Sequence, residues 1–190
     1  MTDLINTNKR FENENFSDKS FAKFEFESCI FISCNFLEVN LAESSFSDCI
    51  FDNCNLSLIR NKSTSFKDVK FRNCKLLGLN FNECNKFLFQ VNFENCQLDL
   101  ASFFNLRLKN TVFKNCSLKE ADFTQADLTN VKFDNCDLSR SIFEHTILEK
   151  TDFRTSYNYA FDPELNRMKK AKFSLAGVTG LLMKFDIEID

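Results

Sequence analysis

Large apolar residues, mostly phenylalanine, recur every fifth residue through most of this chain, a period that suits neither an α-helix at 3.6 residues nor a strand at two. The series runs Phe11, Phe16, Phe21, Phe26, Phe31, Phe36, Leu41, Phe46, Phe51, Leu56, Phe66, Phe71, Leu76 and Phe81, then resumes at Phe93 and continues to Phe153. Two residues upstream of the large one stands a small or compact one, among them Cys29, Ser44, Thr64, Cys74, Val91, Ala101, Thr111, Ala121 and Cys136. The unit therefore reads small, polar, large apolar, polar, polar. Alternation sends the small and the large residue to one face. A strand would continue that alternation, whereas here two polar residues follow and the chain must turn a corner after each unit. Self-similarity at a fixed period marks a stacked array.

Four corners return the chain over itself after twenty residues, and the cysteines report that interval independently. Cys34, Cys54 and Cys74 are twenty apart, as are Cys96, Cys116 and Cys136. Between Cys74 and Cys96 the interval is twenty-two, matching a two-residue slip in the Phe series between Phe81 and Phe93. One insertion near Lys86 and Phe87 explains both. The outer positions follow the same rule: Asp52, Arg72, Glu94, Lys114, Asp134 and Arg154 form a column of alternating charge, and Asn53, Asn73, Asn95, Asn115 and Asn135 form an amide column beside it. Rungs about 4.8 Å apart would place opposite charges in contact and let the amides form a ladder.

Units such as Ala121-Asp122-Phe123-Thr124-Gln125 and Ala126-Asp127-Leu128-Thr129-Asn130 resemble the pentapeptide repeat family. The resemblance covers roughly residues 11 to 155. It implies an all-β fold, a right-handed quadrilateral β-helix of about seven coils. The expected organisation is a polar N-terminal cap over 1–10, the β-helix over 11–156 and a C-terminal capping or dimerisation segment over 157–190.

Within that last segment Ser174 reads as an N-cap for a short helix near 174–185, with Leu175, Val178, Leu181, Leu182 and Phe185 on one face. This stripe either closes the last coil or meets the same stripe of a second chain. Some topoisomerase-binding members of the family carry an apolar C-terminal helix that makes a two-fold dimer. The resemblance thus implies a homodimer through these residues.

The nine cysteines are odd in number, lack any Cys-x-x-Cys pair and all occupy the small inward position. They read as buried free thiols serving as small apolar groups, with neither disulfide nor metal role, in a reducing, cytoplasmic setting. No run of apolar residues is long enough to span a bilayer. The single histidine, His145, falls on an outward corner, and no phosphate loop, nucleophile elbow or zinc spacing occurs. Catalytic and metal residues, cofactors and direct nucleic-acid binding are accordingly not expected. A packed Phe interior leaves no cavity to perturb a carboxylate.

Irregularities in the pattern carry the functional information. Asn61 stands where Phe or Leu is due, so either its loop bulges or its amide pairs with backbone groups. Leu37, Leu58, Leu77, Leu100 and Phe104 occupy outward positions and would form an apolar stripe along one edge, a candidate partner surface. Residues 1–58 carry ten Asp or Glu against four Lys or Arg, whereas the remainder carries seventeen against twenty. The resemblance to the quinolone-resistance type implies a protein partner, DNA gyrase or topoisomerase IV, engaged by a rod that imitates DNA. Only the N-terminal end has the charge for it. The alternative is a general scaffold or structural solenoid for another protein partner.

Overall fold

The computed structural model describes residues 4–17 and 19–188. Eleven short strands, all paired in parallel, build a solenoid. One face stacks β1 (Ile5–Thr7), β3 (Glu25–Glu27), β5 (Ser45–Ser47) and β7 (Ser65–Lys67). The adjoining face stacks β2 (Arg10–Glu12), β4 (Ile30–Ile32), β6 (Ile50–Asp52), β8 (Val69–Arg72), β9 (Val91–Glu94), β10 (Val112–Lys114) and β11 (Lys132–Asp134). The other two faces are held by single parallel bridges, such as Asn55–Lys75–Gln97–Ser117–Asp137 and Asn80–Ser102–Asp122–Ile142. Phe31 pairs with Phe51 and Phe51 with Phe71 at twenty residues, and Phe71 with Phe93 at twenty-two. The seven strands from β2 to β11 complete six turns, against the seven or so expected. Pairing begins at Ile5, and single bridges carry it on to Arg167 and Lys172.

Most corners carry a residue in the left-handed region, which explains the fifth-residue beat of mostly polar side chains. Asn53, Asn73, Asn95, Asn115 and Asn135 sit there with φ between 52° and 54°. Asparagine tolerates this conformation because its amide bonds locally. The amides also bond to one another: Asn95 Nδ2 donates to Asn73 Oδ1 at 3.1 Å, Asn115 to Asn95 at 3.0 Å and Asn135 to Asn115 at 2.9 Å.

Inside, the Phe columns stack at the spacing of the rungs. Phe93 lies 5.1 Å from Phe113 and Phe113 lies 5.0 Å from Phe133, with planes within 13° of parallel. Neighbouring columns meet edge to face, as Phe103 and Phe113 do at 84°. Such pairs contribute about 0.5–1.5 kcal/mol each beyond burial. The small inward residues do more than fill space. The Cys54, Cys74 and Cys136 thiols donate to the carbonyls of Phe31, Phe51 and Phe113 on the rung below, each at 3.4 Å. Thr146 and Ser156 hydroxyls do the same to Phe123 and Phe133, at 2.8 and 2.7 Å. All nine cysteines are free and buried. Burial pushes the Cys49 and Cys84 thiols up to about 12. Cys96 and Cys116 also reach about 12, chiefly through hydrogen bonding to the next thiol of their file.

The C-terminal segment departs from the expected α-helix. It forms two 3₁₀ turns, Gly177–Leu181 and Met183–Phe185. Ser174 Oγ does accept from the Gly177 N–H at 3.0 Å, as an N-cap should. The turn then tightens because Gly177 and Gly180 lie flush on Tyr159. Phe173 stacks on Phe153 at 5.2 Å, so one further rung of the aromatic column closes the end of the core.

Candidate functional site

Four leucines stand in water on successive turns at one corner of the solenoid. Leu37 and Leu77 occupy the position after the inward residue, while Leu58 and Leu100 occupy the left-handed position itself, with φ of 56° and 61°. The exposures are 36% for Leu37, 52% for Leu58, 43% for Leu77 and 55% for Leu100. Backbone bonds hold the file: the Leu58 N–H donates to Leu77 O at 3.3 Å, and the Gly78 N–H to Asp99 O at 2.9 Å. Leu58 leans over Gly78, where a Cβ would stand 3.3 Å from its Cδ2. A leucine in the left-handed region is uncommon and contributes nothing to the core from there. Phe104, also exposed, belongs to the next corner, five residues on, and its N–H donates to Ser102 Oγ at 3.4 Å.

The two-residue insertion makes the second irregular surface. β7 ends its sheet, because the chain above it loops outward while β8 and β9 pair straight across the slip. Phe87 and Leu88 are exposed at 69% and 62%, whereas Phe89 turns inward, 6.1 Å from Phe81 and 6.4 Å from Phe66. Lys86 Nζ donates to Asn105 O at 3.0 Å. Nearby, Asn61 is buried and its amide donates to Asn80 O at 2.9 Å, with Cys84 Sγ at 3.2 Å. The amide thus pairs with backbone, and the column of Leu41, Asn61 and Phe81 stays in line.

At the C-terminal end the expected apolar stripe is divided. Leu181 is buried, Val178 and Leu182 are half-buried, and Leu175 and Phe185 are exposed, the first at 90%. Lys184 ties the last turn to Asp162 at 2.7 Å and Glu164 at 2.6 Å. An open groove of about 820 Å³ runs between Tyr157–Ala160 and the turns that carry Leu182, Asp186 and Ile187.

Charge is distributed unevenly along the rod. Beyond β8 many of the carboxylates have a base within reach, among them Glu94 with Lys114 at 2.7 Å, Asp134 with Lys132 at 2.7 Å, Asp152 with Arg154 at 2.8 Å and Glu149 with Arg167 at 2.7 Å. The Lys114 ammonium holds Glu94 below the usual carboxylate range, and Arg154 does the same for Asp152. The alternating column is continuous only from Arg72 through Glu94 to Lys114. Asp134 and Arg154 instead take partners two residues away on their own rung. Among the described acids of the first three turns, only Glu12 and Glu43 have a base within reach.

His145 lies exposed at a corner, its N–H donating to Leu165 O at 3.0 Å. Among the described residues no group of three or more His, Cys, Asp or Glu could hold a metal ion. No described helix is long and apolar enough to cross a membrane.

The pentapeptide repeat region model matches residues 24–86 and 86–157, which is well over half of the sequence. The chain belongs to the pentapeptide repeat family. No curated protein sequence matches this pentapeptide repeat protein significantly. Among solved structures it is similar to a trypsin-treated variant of QnrB1, a plasmid-mediated fluoroquinolone resistance protein, at 19% identity and a TM-score of 0.66. That match covers 98% of this chain and 91% of the other. It is also similar to HetL, a pentapeptide repeat protein involved in heterocyst differentiation regulation from the cyanobacterium Nostoc sp. strain PCC 7120. There the identity is 14%, the TM-score 0.39, and the coverage 90% of this chain and 87% of the other. At these identities the likeness is one of fold.

Of the residues singled out by sequence, the four leucines come together and Phe104 does not join them. The thiol file and the amide ladder form as columns. The cleft beside the insertion had only one signal in sequence, the slip in register.

Proposed function

We propose that this pentapeptide repeat protein is a non-enzymatic protein-interaction rod whose partner docks along the corner of Leu37, Leu58, Leu77 and Leu100. The observation that carries this reading is the file itself: four large apolar side chains held in water on consecutive turns, two of them in a backbone conformation that disfavours leucine. A repeat needing only to fold would place Asn there, as it does at Asn53 and Asn73. Replacing Leu77 and Leu100 by Lys should leave the fold intact, with stability within about 0.5 kcal/mol, and abolish capture of the partner. A captured set identical to that of the unmodified protein counts against the edge.

A second reading is a type II topoisomerase, gyrase or topoisomerase IV, as that partner, with the rod acting as a partial DNA mimic. It draws on the fold shared with QnrB1 and on the unneutralised acids of the first turns. Purified protein should then restore gyrase supercoiling in the presence of a quinolone, and no rescue at excess protein removes this reading. A homodimer through the C-terminal segment is proposed on the exposure of Leu175 and Phe185. Sedimentation of the full chain beside one truncated after Tyr157 tests it.

A further inference from the structure

The break in the sheet above β7 leaves a strand edge without a neighbour. On every other turn of that face the residue before the inward one donates its N–H to the rung below: Ser45 to Phe24 O, Ser65 to Ser44 O, Asp127 to Leu106 O, Ile147 to Ala126 O and Arg167 to Thr146 O. Arg107 is the equivalent residue directly above the insertion, and its N–H has no hydrogen-bond partner among the described residues. The same holds for its C=O and for the N–H and C=O of Lys109. Leu108, between them, points the opposite way and donates to Asp127 O at 2.9 Å. Arg107 and Lys109, the latter at the turn that follows, thus present two donors and two acceptors toward a cleft of about 370 Å³. Exposed strand edges of this kind template pairing with another chain.

The side chains around the cleft state what it takes. Lys86, Arg107 and Lys109 line it, with Gln90 and Asn92, and no carboxylate does. Only Lys109 is engaged by an acid, Asp127 at 3.2 Å. Phe87 and Leu88 form an apolar shoulder beside the opening. We propose that this cleft is a docking site for an extended, acidic segment of a partner protein. The segment pairs its main chain with Arg107 and Lys109, sets acidic side chains on Arg107 and Lys86, and lays an apolar side chain on Phe87 and Leu88. A helix, about 10–12 Å across, is too wide for a space of this volume, and strand addition with side-chain pockets is a recurrent mode of peptide capture. The inference shares with the proposed function the premise that the rod binds protein, but it does not use the leucine edge.

The test uses the full chain and a fluorescent peptide of alternating Glu and Val. Three controls accompany it: the Lys-for-Glu counterpart, a version N-methylated at alternate amides, and the variant Arg107→Glu. Saturable binding is expected for the Glu peptide alone, weakened by about tenfold or more in Arg107→Glu and unchanged in the double Lys variant of Leu77 and Leu100. Hydrogen exchange supplies a direct readout. The Arg107 and Lys109 amides exchange fast in the free protein and slow on binding. Absence of saturable binding overturns the proposal, as does equal binding of the N-methylated peptide or binding that leaves those two amides unprotected. Loss of partner capture through the leucine edge leaves every one of these outcomes unaffected, so the two readings fail separately.

Discussion

Gly180 rests directly on the backbone of Tyr159: a Cβ built at Gly180 would stand 2.0 Å from the Tyr159 carbonyl oxygen. Gly177, one tight turn earlier, faces the phenol of the same residue, 2.0 Å from where its own Cβ would lie. The two glycines let the tail close over Tyr159, Phe161 and Phe173, which end the aromatic column. Gly180→Ala should therefore lift the tail, at a cost of about 1–3 kcal/mol for overpacking against rigid backbone. Hydrogen exchange should show lost protection over residues 171–182 with the Phe113 rung unchanged. Gly78→Ala is the contrast. Its Cβ meets only the flexible tip of Leu58 at 3.3 Å, and its φ of 65° is one that Leu58 and Leu100 already adopt with side chains. A loss of about 1 kcal/mol is expected there.

Asn61 occupies a position that its column gives to Leu41 and Phe81, and its amide is satisfied by Asn80 O at 2.9 Å. Asn61→Leu would remove that bond and leave Asn80 O still accepting from the Glu83 N–H at 3.2 Å. The lost bond is worth about 0.5–1.5 kcal/mol, and burying a leucine in the column returns about 1.5–3 kcal/mol. A net gain of about 1 kcal/mol is expected, read as a higher urea midpoint at unchanged slope. A lower midpoint would mean that the amide is required where it stands.

Most of the solenoid was legible because its rules are local and repeat. The spacing of Phe71 and Phe93 fixed both the inward face and the slip, and the run of Asn53 to Asn135 located the corners. The tail departs from its sequence pattern for a physical reason. Leu175, Val178, Leu181, Leu182 and Phe185 have helical spacing, but the geometry is set by what Gly177 and Gly180 touch, and Tyr159 lies some twenty residues away in sequence. The alternating charge column failed beyond Lys114 for a similar reason. Asp152 and Arg154 sit on one rung, two residues apart, and that local pairing displaces the vertical one. The consequence of the insertion was hidden as well, since a slip in register does not say which strand edge loses its neighbour.

The thiols set a pH limit on the fold. Cys49 and Cys84 are each pushed up to about 12 by burial, whereas an unfolded thiol loses its proton near 9. Above that pH the native state holds more protons than the unfolded one, so stability falls as pH rises. It is intact below about 9 and is lost progressively from there toward 12, at about 1.4 kcal/mol per pH unit for each such group. Urea midpoints at pH 8.0 and 10.5, set beside those of a variant with Cys49→Ala and Cys84→Ala, should show a shallower decline in the variant. At pH 8 a thiol reagent should label none of the nine in the native protein and all of them in urea.

A rod stabilised by contacts between neighbouring turns should respond to a lost ring according to how many neighbours that ring has. Phe113 is fully buried and stacks on both sides, with Phe93 at 5.1 Å and Phe133 at 5.0 Å, while edge contacts join it to Phe103 and Phe123. Phe11 is only partly buried on the first turn, stacks on Phe31 alone at 4.9 Å, has edge contacts to Phe16 and Phe26, and so loses less buried area when removed. Phe113→Ala should cost about 3–5 kcal/mol, the range for an aromatic cavity in a core that cannot collapse around it. The parallel backbone ladder of its own face, which pairs Phe113 with Phe93 and with Phe133, holds the adjacent rungs apart and prevents that collapse. Phe11→Ala should cost less than half as much, and hydrogen exchange should show its effect confined to the first turn. Equal losses at the two sites in urea denaturation would mean that the N-terminal turn is as tightly coupled to the rod as its middle, which its single stacking partner argues against.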